Sequence, residues 1–299
     1  MTDIISLLIR DSFSSATPIL LAALGGTFTY YANVFNIAME GMMLIGAFFG
    51  VLGSYLFQSW AMGMLFAVIS GAVVALIFSA FALSLKTDEF LTGIGINMLA
   101  LGGTTYLLRN IFDVKGAFIS PKIESLPTWD IPILNQIPIL SQILNNHPFI
   151  VYITILLALL LEVIIFHTKF GLRLRATGED PETTRSLGIS PNKMKFTSIL
   201  LSGILSSMAG TYLSLGYVTL FSENMSNGRG WISLAIIILV KGRPLGILLM
   251  SLLFGFFESV TFTLQNFNIP PQITSMLPYV ITLVVLFLYS SNKSKEKNE

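Results

Sequence analysis

Four acidic side chains lie in or beside stretches otherwise suited to hydrocarbon: Glu40 in "FNIAMEGMMLIGAFFG" (35–50), Glu162, Glu223, and Glu258 in "FGFFESVTF". A carboxylate at the water boundary costs little, whereas one held at membrane depth is expensive and marks a protected polar path. The neighbours of Glu40 are small or polar: Asn33, Asn36, Gly41 and Gly46. Asn36 is suited to cap a helix start, which leaves Glu40 one turn in, where the helix dipole favours negative charge. A helix that begins at such depth implies a discontinuous span, tolerated only beside protein or a cavity. Glu162 lies within a turn or two of its span's end, within reach of water or Lys169. Glu258 suits either hydrogen bonding inside a bundle or transport, and Glu223 lies at the mouth of a span. Arg229 in "NGRGW" is placed to pair with Glu223, six residues earlier.

Other chemistries lack their residues. There is no cysteine, so disulfides, thiolate metal sites and cysteine nucleophiles are excluded. The two histidines, His147 and His167, fall at opposite ends of one apolar run and cannot share a metal or a catalytic dyad. No HExxH, GxSxG or Walker-type glycine loop occurs, which disfavours a membrane-embedded hydrolase. A net charge of +1 and the lack of a basic patch argue against nucleic acid as a partner.

Composition dictates the solvent in which these groups work. Charged residues make up 11% of the 299, and 54% are hydrophobic; a soluble domain has about 25% charged. Mean hydropathy is +0.77. Apolar runs of about 20 residues, the length of a membrane-crossing helix, recur near 13–33, 37–57, 60–84, 91–110, 148–168, 194–217, 229–241, 244–264 and 274–290. The expectation is an all-α polytopic bundle of about nine spans (eight to ten), a single domain over 1–292 with membrane lipid around it. The short seventh or the long third span is a candidate for a broken or re-entrant helix. The first ten residues lack the basic segment of a cleavable signal.

The longest polar loop, about 111–147, carries prolines too closely spaced for a long helix. The most charged segment, about 169–193, holds Gly178, Pro181, Gly188 and Pro191, which punctuate it into one short helix over 181–187. With that segment cytoplasmic, alternation puts 12 of the 17 basic residues inside, including the polar tail 293–299, and leaves Arg10, Arg109, Lys115, Lys122 and Arg229 outside. The 111–147 loop is then external, the C-terminus cytoplasmic and the N-terminus outside. An ungapped echo between "LGGTFTYYANVF" (24–35) and "LGGTTYLLRNIF" (101–112) fits either an inverted repeat or shared small-residue helix packing.

Four collinear stretches, "NIAMEGMMLIGAF" (36–48), "GINMLALG" (95–102), "GLRLRATGEDPETTRSLGIS" (171–190) and "LSLGYVTLFSENMSNGRGWISLA" (213–235), resemble the permease subunits of bacterial ABC importers. Within the branched-chain amino acid and ribose permease superfamily, the chain is most similar to the nucleoside and simple-sugar branch. The resemblance implies a plasma-membrane subunit without cofactor or enzymatic activity of its own. It implies as partners a cytoplasmic ABC ATPase that binds the ATP, a second permease subunit and an extracellular substrate-binding lipoprotein. It also implies that 171–190 is the coupling loop, with Arg175, Gly178, Glu179, Pro181, Glu182 and Gly188 as docking candidates. Asn36, Glu40, Asn97, Glu223 and Asn224 become candidates for the solute path, suited to the hydroxyls and base edges of a nucleoside, with Phe35 and Phe221 as stacking aromatics. Asn97 is equally suited to bonding across helices. A ribose-like sugar, a branched-chain amino acid, or a stand-alone ion-coupled secondary transporter are the other readings. Departures from the family pattern are "TYYANVF" before the NxxxEG motif, Thr183 and Thr184 in the loop, and an isoleucine- and proline-rich external loop.

Overall fold

The computed structural model describes residues 2–132 and 138–265. Helices α1 (Thr2–Tyr31), α2 (Met39–Phe57) and α3 (Trp60–Ser79) are followed by a π-helical turn over Ala80–Ser84 and by α4 (Glu89–Phe112). Beyond them come β1 (Ala117–Phe118), β2 (Thr128–Trp129), α5 (Pro138–Leu144), β3 (His147–Pro148) and α6 (Phe149–His167). The charged segment forms α7 (Lys169–Glu179) and α8 (Pro181–Ser186). The chain continues with α9 (Pro191–Thr211), a π-helical turn at Tyr212–Tyr217, β4 (Phe221–Ser222), α10 (Arg229–Leu239) and α11 (Pro244–Gln265).

Among the described residues, seven helical stretches are long and apolar enough to cross a membrane, and α10 is a shorter apolar helix. The expected broken span is therefore α10, whose 11 residues reach about 16 Å, half of a bilayer core. The expected ninth span and the polar tail lie outside the described residues.

Three helices form the centre of the bundle. α1, α2 and α9 have the most buried apolar windows, 61–67%, and they approach so closely that side chains are excluded at the contacts. A Cβ at Gly210 would lie 1.7 Å from the Met43 carbonyl, and one at Gly46 would lie 2.2 Å from that of Ser207. Small residues serve this purpose in membrane helices, where van der Waals packing drives association. The buried face of α9 is also lined with hydroxyls. Thr211 Oγ1 donates to the Gly46 carbonyl at 3.0 Å, and Ser207 Oγ donates to that of Ala67.

The apolar core divides along the bundle axis. One block holds Leu24, Phe28, Phe78, Leu161 and Ile237; the other holds Leu21, Phe48, Leu108, Tyr212 and Phe221. Over the second block the stretch 114–126 folds back as a cap. β1 pairs antiparallel with β4, and β2 with β3. Glu124 ties it to the α2–α3 turn by accepting from Trp60 N–H at 2.7 Å. One basic residue departs from its expected place, and the tail lysines lie outside the described residues. Arg229 lies not in an outer loop but at the start of α10 within the bundle, its side chain 11% exposed.

The echo between 24–35 and 101–112 is not matched in packing. Gly25 and Gly26 are pressed against Leu205 and Ile237, whereas Gly102 and Gly103 face no atom within 4 Å.

Candidate functional site

The break between α1 and α2 is a polar elbow, residues 32–38, and its hydrogen bonds explain where α2 starts. Asn33 adopts φ +53°, which ends α1. Asn36 does not cap α2 in the expected way: Ala38 is at the N-cap, and Asn36 Oδ1 accepts from Ala38 N–H at 3.1 Å in a local turn. The Asn36 amide donates to Ser202 Oγ of α9 at 2.9 Å, and the residue is 2% exposed. From α4, Glu89 accepts the Phe35 N–H. Asn97 accepts from Gly41 N–H at 2.7 Å and donates to the Ile37 carbonyl at 3.0 Å. Asn97 therefore bonds across helices with both ends of its amide.

Glu40, in the first turn of α2, reaches the N-terminus of α10. Its Oε1 accepts from Ser226 Oγ at 2.6 Å and Gly228 N–H at 2.8 Å, and its Oε2 accepts from Gly230 N–H at 2.7 Å. The two N–H groups are donors a helix start leaves unsatisfied, and a carboxylate complements the positive end of the dipole. Glycine is required here, because a Cβ at Gly230 would lie 2.5 Å from Glu40 N. The carboxylate is thus stabilised by the start of a second, shorter helix.

Beside this clasp lies a cleft of about 250 Å³ lined by Glu40, Gly41, Leu44, Ile94, Asn97, Met98, Leu101, Asn224 and Trp231. Of the five path candidates, Glu40, Asn97 and Asn224 meet there. Asn36 lies on the far side of the elbow, buried against α9. Glu223 turns away: its Oε1 accepts from Arg109 at 3.2 Å and Gly116 N–H at 3.3 Å. Neither expected stacking aromatic lines the cleft. Phe35 is 43% exposed beside Glu89, and Phe221 is fully buried against Phe48, with ring centroids 5.2 Å apart. Trp231, 43% exposed, is the aromatic that does. The signal for it was present in "NGRGWISLA", where an amphipathic ring follows a glycine-flanked start of a short span.

Three further charged residues, Arg229, Glu258 and Glu162, find partners. Arg229 pairs with Glu258 of α11 rather than with Glu223, because the start of α10 turns its guanidinium toward α11. That guanidinium also donates to the Met225 and Ser226 carbonyls at 3.3 and 3.4 Å. Glu162 accepts from Leu245 N–H at 3.4 Å, at the start of α11, instead of reaching Lys169. His147 is not a bare boundary residue but is 2% exposed. Its Nε2 lies 2.9 Å from the Ile143 carbonyl and its Nδ1 lies 3.1 Å from Ser14 Oγ. A carbonyl only accepts, so Nε2 carries the proton and Nδ1 accepts from the serine.

At the other end, the charged segment holds two helices where one was expected. Gly171 and Gly178 do not break α7; they are close-packing positions. A Cβ at Gly178 would lie 2.2 Å from the Tyr31 carbonyl, at the end of α1. Asp180 caps α8 by accepting from Glu182 and Thr183 N–H at 3.0 and 3.1 Å. The Thr183 hydroxyl donates to the other Asp180 oxygen, and this bond to the charged form, with the backbone ones, holds the carboxyl below the ordinary range. Pro181 occupies the first turn and Glu182 follows. Gly188, at φ +77°, ends the turn. Glu179 and Glu182 are exposed, and Arg175 lies over the Phe166 ring at 5.2 Å.

A family described as the permease component of the branched-chain amino acid transport system matches residues 8–286. The chain belongs to that family. Among the permease's relatives is the guanosine ABC transporter permease protein NupQ of Bacillus subtilis, 34% identical over 96% of this chain and 92% of the relative. Another is the nucleoside ABC transporter permease protein NupC of Lactococcus lactis, 30% identical over 95% and 92%. A solved structure described as a metal-chelate type ABC transporter in an inward-facing conformation shares the fold, with TM-score 0.52, 19% identity, and 94% and 84% coverage. The permease is thus a multi-pass membrane protein. Its cleft and its charged segment are joined by one elbow: Gly178 packs on the end of α1, and Glu40 lies in the first turn of the helix on the elbow's other side.

Proposed function

We propose that the chain is the membrane-spanning subunit of an ATP-driven importer that carries nucleosides across the bacterial plasma membrane by alternating access. The observation that carries this reading is the pairing of a cleft with a few polar groups among apolar walls with relatives named as guanosine and nucleoside permeases. Nothing is done chemically to the solute. A ligand drives such a switch only through unequal affinity for the two states, which suits a cleft of few polar groups.

ATP is bound and hydrolysed by a cytoplasmic ATPase, and α8, capped by Asp180 and closed by Gly188, is its handle. Glu179, Pro181 and Glu182 belong to the same docking surface, while Gly178 and Arg175 tie it back to α1 and α6. Motion of α8 passes through α7 to the end of α1, then through the elbow to Glu40 and α10. A second permease subunit covers the cleft. Its 250 Å³ falls short of a complete small-molecule site, about 300–1,000 Å³, and it opens beside the exposed face of α4, where Gly95 and Gly102 meet nothing. Polar groups at that depth need protein or water opposite them. An extracellular binding lipoprotein supplies the solute from the side of the β-paired cap, and the C-terminus is cytoplasmic, in keeping with the basic-residue bias.

Radiolabelled uptake in a strain deleted for the permease gene tests the reading, with guanosine, ribose and leucine as competitors. Complementation should restore guanosine uptake, and an inactive ATPase partner should abolish it. Uptake by the purified chain alone, driven by an ion gradient, would sink the assignment.

A further inference from the structure

Which groups of the cleft meet the solute is decided by which of them are already engaged. Glu40 uses both carboxylate oxygens on the start of α10, and Asn97 uses both ends of its amide on the elbow. These two shape the cleft rather than read its contents. The Asn224 carboxamide and the Trp231 indole are different, because no described residue bonds to either side chain. Both are exposed. An indole at the water interface is ordinary for a membrane protein. Trp231 instead follows Gly230, whose N–H is held by Glu40, half a span from the end of α10.

We propose that Trp231 and Asn224 form a base-reading pair: the indole face stacks on the flat ring of the solute, and the carboxamide meets the ring's edge. This deepens the nucleoside reading and rests on it. Stacking suits any base because every base has a π-face, whereas a carboxamide offers one donor group and one acceptor, the set that matches a base edge. Leu44, Met98 and Leu101 supply the apolar walls for the ring. Both readers are preorganised by carboxylates next to them in the structure. Glu40 fixes Gly230 beside Trp231, and Glu223, pinned to Arg109 and Gly116, fixes the turn in which Asn224 takes φ +58°. Neither a free pentose nor an aliphatic amino acid offers an aromatic π-face to the indole.

The intact importer, assayed for uptake in cells and for tryptophan fluorescence in lipid nanodiscs, tests the pair. Trp231→Ala should raise the KM for guanosine about tenfold, the scale of one lost base–aromatic stack, while Trp231→Phe keeps it near wild type. Guanosine should quench emission in the wild type, the quench should be missing from Trp231→Phe, and ribose should quench neither. Asn224→Ala should narrow the KM difference between purine nucleosides with different edge groups. An unchanged guanosine KM in Trp231→Ala, or a quench that persists in Trp231→Phe, overturns the pair and leaves nucleoside import standing. A wild-type importer that takes up no nucleoside overturns the function itself. Should Trp231→Ala fail to reach the membrane, the fluorescence comparison decides alone.

Discussion

Glu40→Gln keeps the shape of the side chain and removes its charge, so it isolates the clasp between α2 and α10. The carboxylate accepts three bonds, from Ser226 Oγ at 2.6 Å, Gly228 N–H at 2.8 Å and Gly230 N–H at 2.7 Å. A glutamine can offer its oxygen to the first two donors or to the third. Its NH2 group then faces an N–H that it cannot accept from. At least one charge-assisted bond is lost, worth about 1.5–3 kcal/mol. The lost interaction with the helix dipole adds about 0.3–1 kcal/mol. Water in the cleft recovers part of this, because Glu40 is only partly buried; the net loss is about 2–3 kcal/mol. Thermal unfolding of the detergent-solubilised permease, followed by size-exclusion chromatography, should show a midpoint several degrees lower. Guanosine uptake should fall in parallel, because Trp231 loses its support. An unchanged midpoint together with unchanged uptake kinetics would show that α10 is held by something other than this carboxylate.

Three further outcomes follow from the same geometry. Gly210→Ala should destabilise or prevent assembly, since its Cβ would meet the Met43 carbonyl at 1.7 Å; Gly102→Ala, with open space around it, should leave the isolated chain as stable as wild type by the same chromatography. Gly188→Pro should uncouple ATP hydrolysis from uptake without blocking membrane insertion, because proline fits neither φ +77° nor the N–H donated to the Arg185 carbonyl at 2.9 Å; the charge reversal Glu179→Arg, on an exposed surface, should do the same, and normal coupling in both would remove the docking role. Burial holds the His147 imidazole below its ordinary value, so its unfolded form binds the proton more readily. Stability should then be fully present above about pH 6.5 and fall as the pH drops below it, with a flatter profile in His147→Gln when unfolding midpoints are measured across that range.

Much of the scaffold was legible because the signals are local. Apolar length located the long helices, and Pro181 and Gly188 bracketed α8. The short seventh span revealed the broken helix. Glu40 drew attention as a carboxylate inside an apolar run, but its partners at the start of α10 were not legible there. What could not be read was the partner of each polar group, which depends on helices distant in sequence. Arg229 was matched to the acid six residues away, but the rotation of α10 presents it to Glu258, 29 residues on. Asn36 reads as a helix cap or a path residue and Asn97 as a path residue or an interhelical bond, and only the elbow between them decides that both amides are engaged. Gly178 reads as a break in sequence and acts as a contact surface, since only tertiary packing brings the end of α1 against it.

The backbone-to-backbone contact of α2 with α9 also bears on how the molecule can move. With the Met43 and Ser207 carbonyls seated directly against glycines of the facing helix, neither rod can slide or roll on the other without collision, and close-packed interiors yield by switching between discrete arrangements rather than by stretching. The pair therefore travels as one stiff mast, and the flexing falls to the segments hung around it. Distance probes attached along α2 and α9 should keep a constant separation throughout a transport cycle, which makes the two helices a built-in ruler against which every other displacement can be measured.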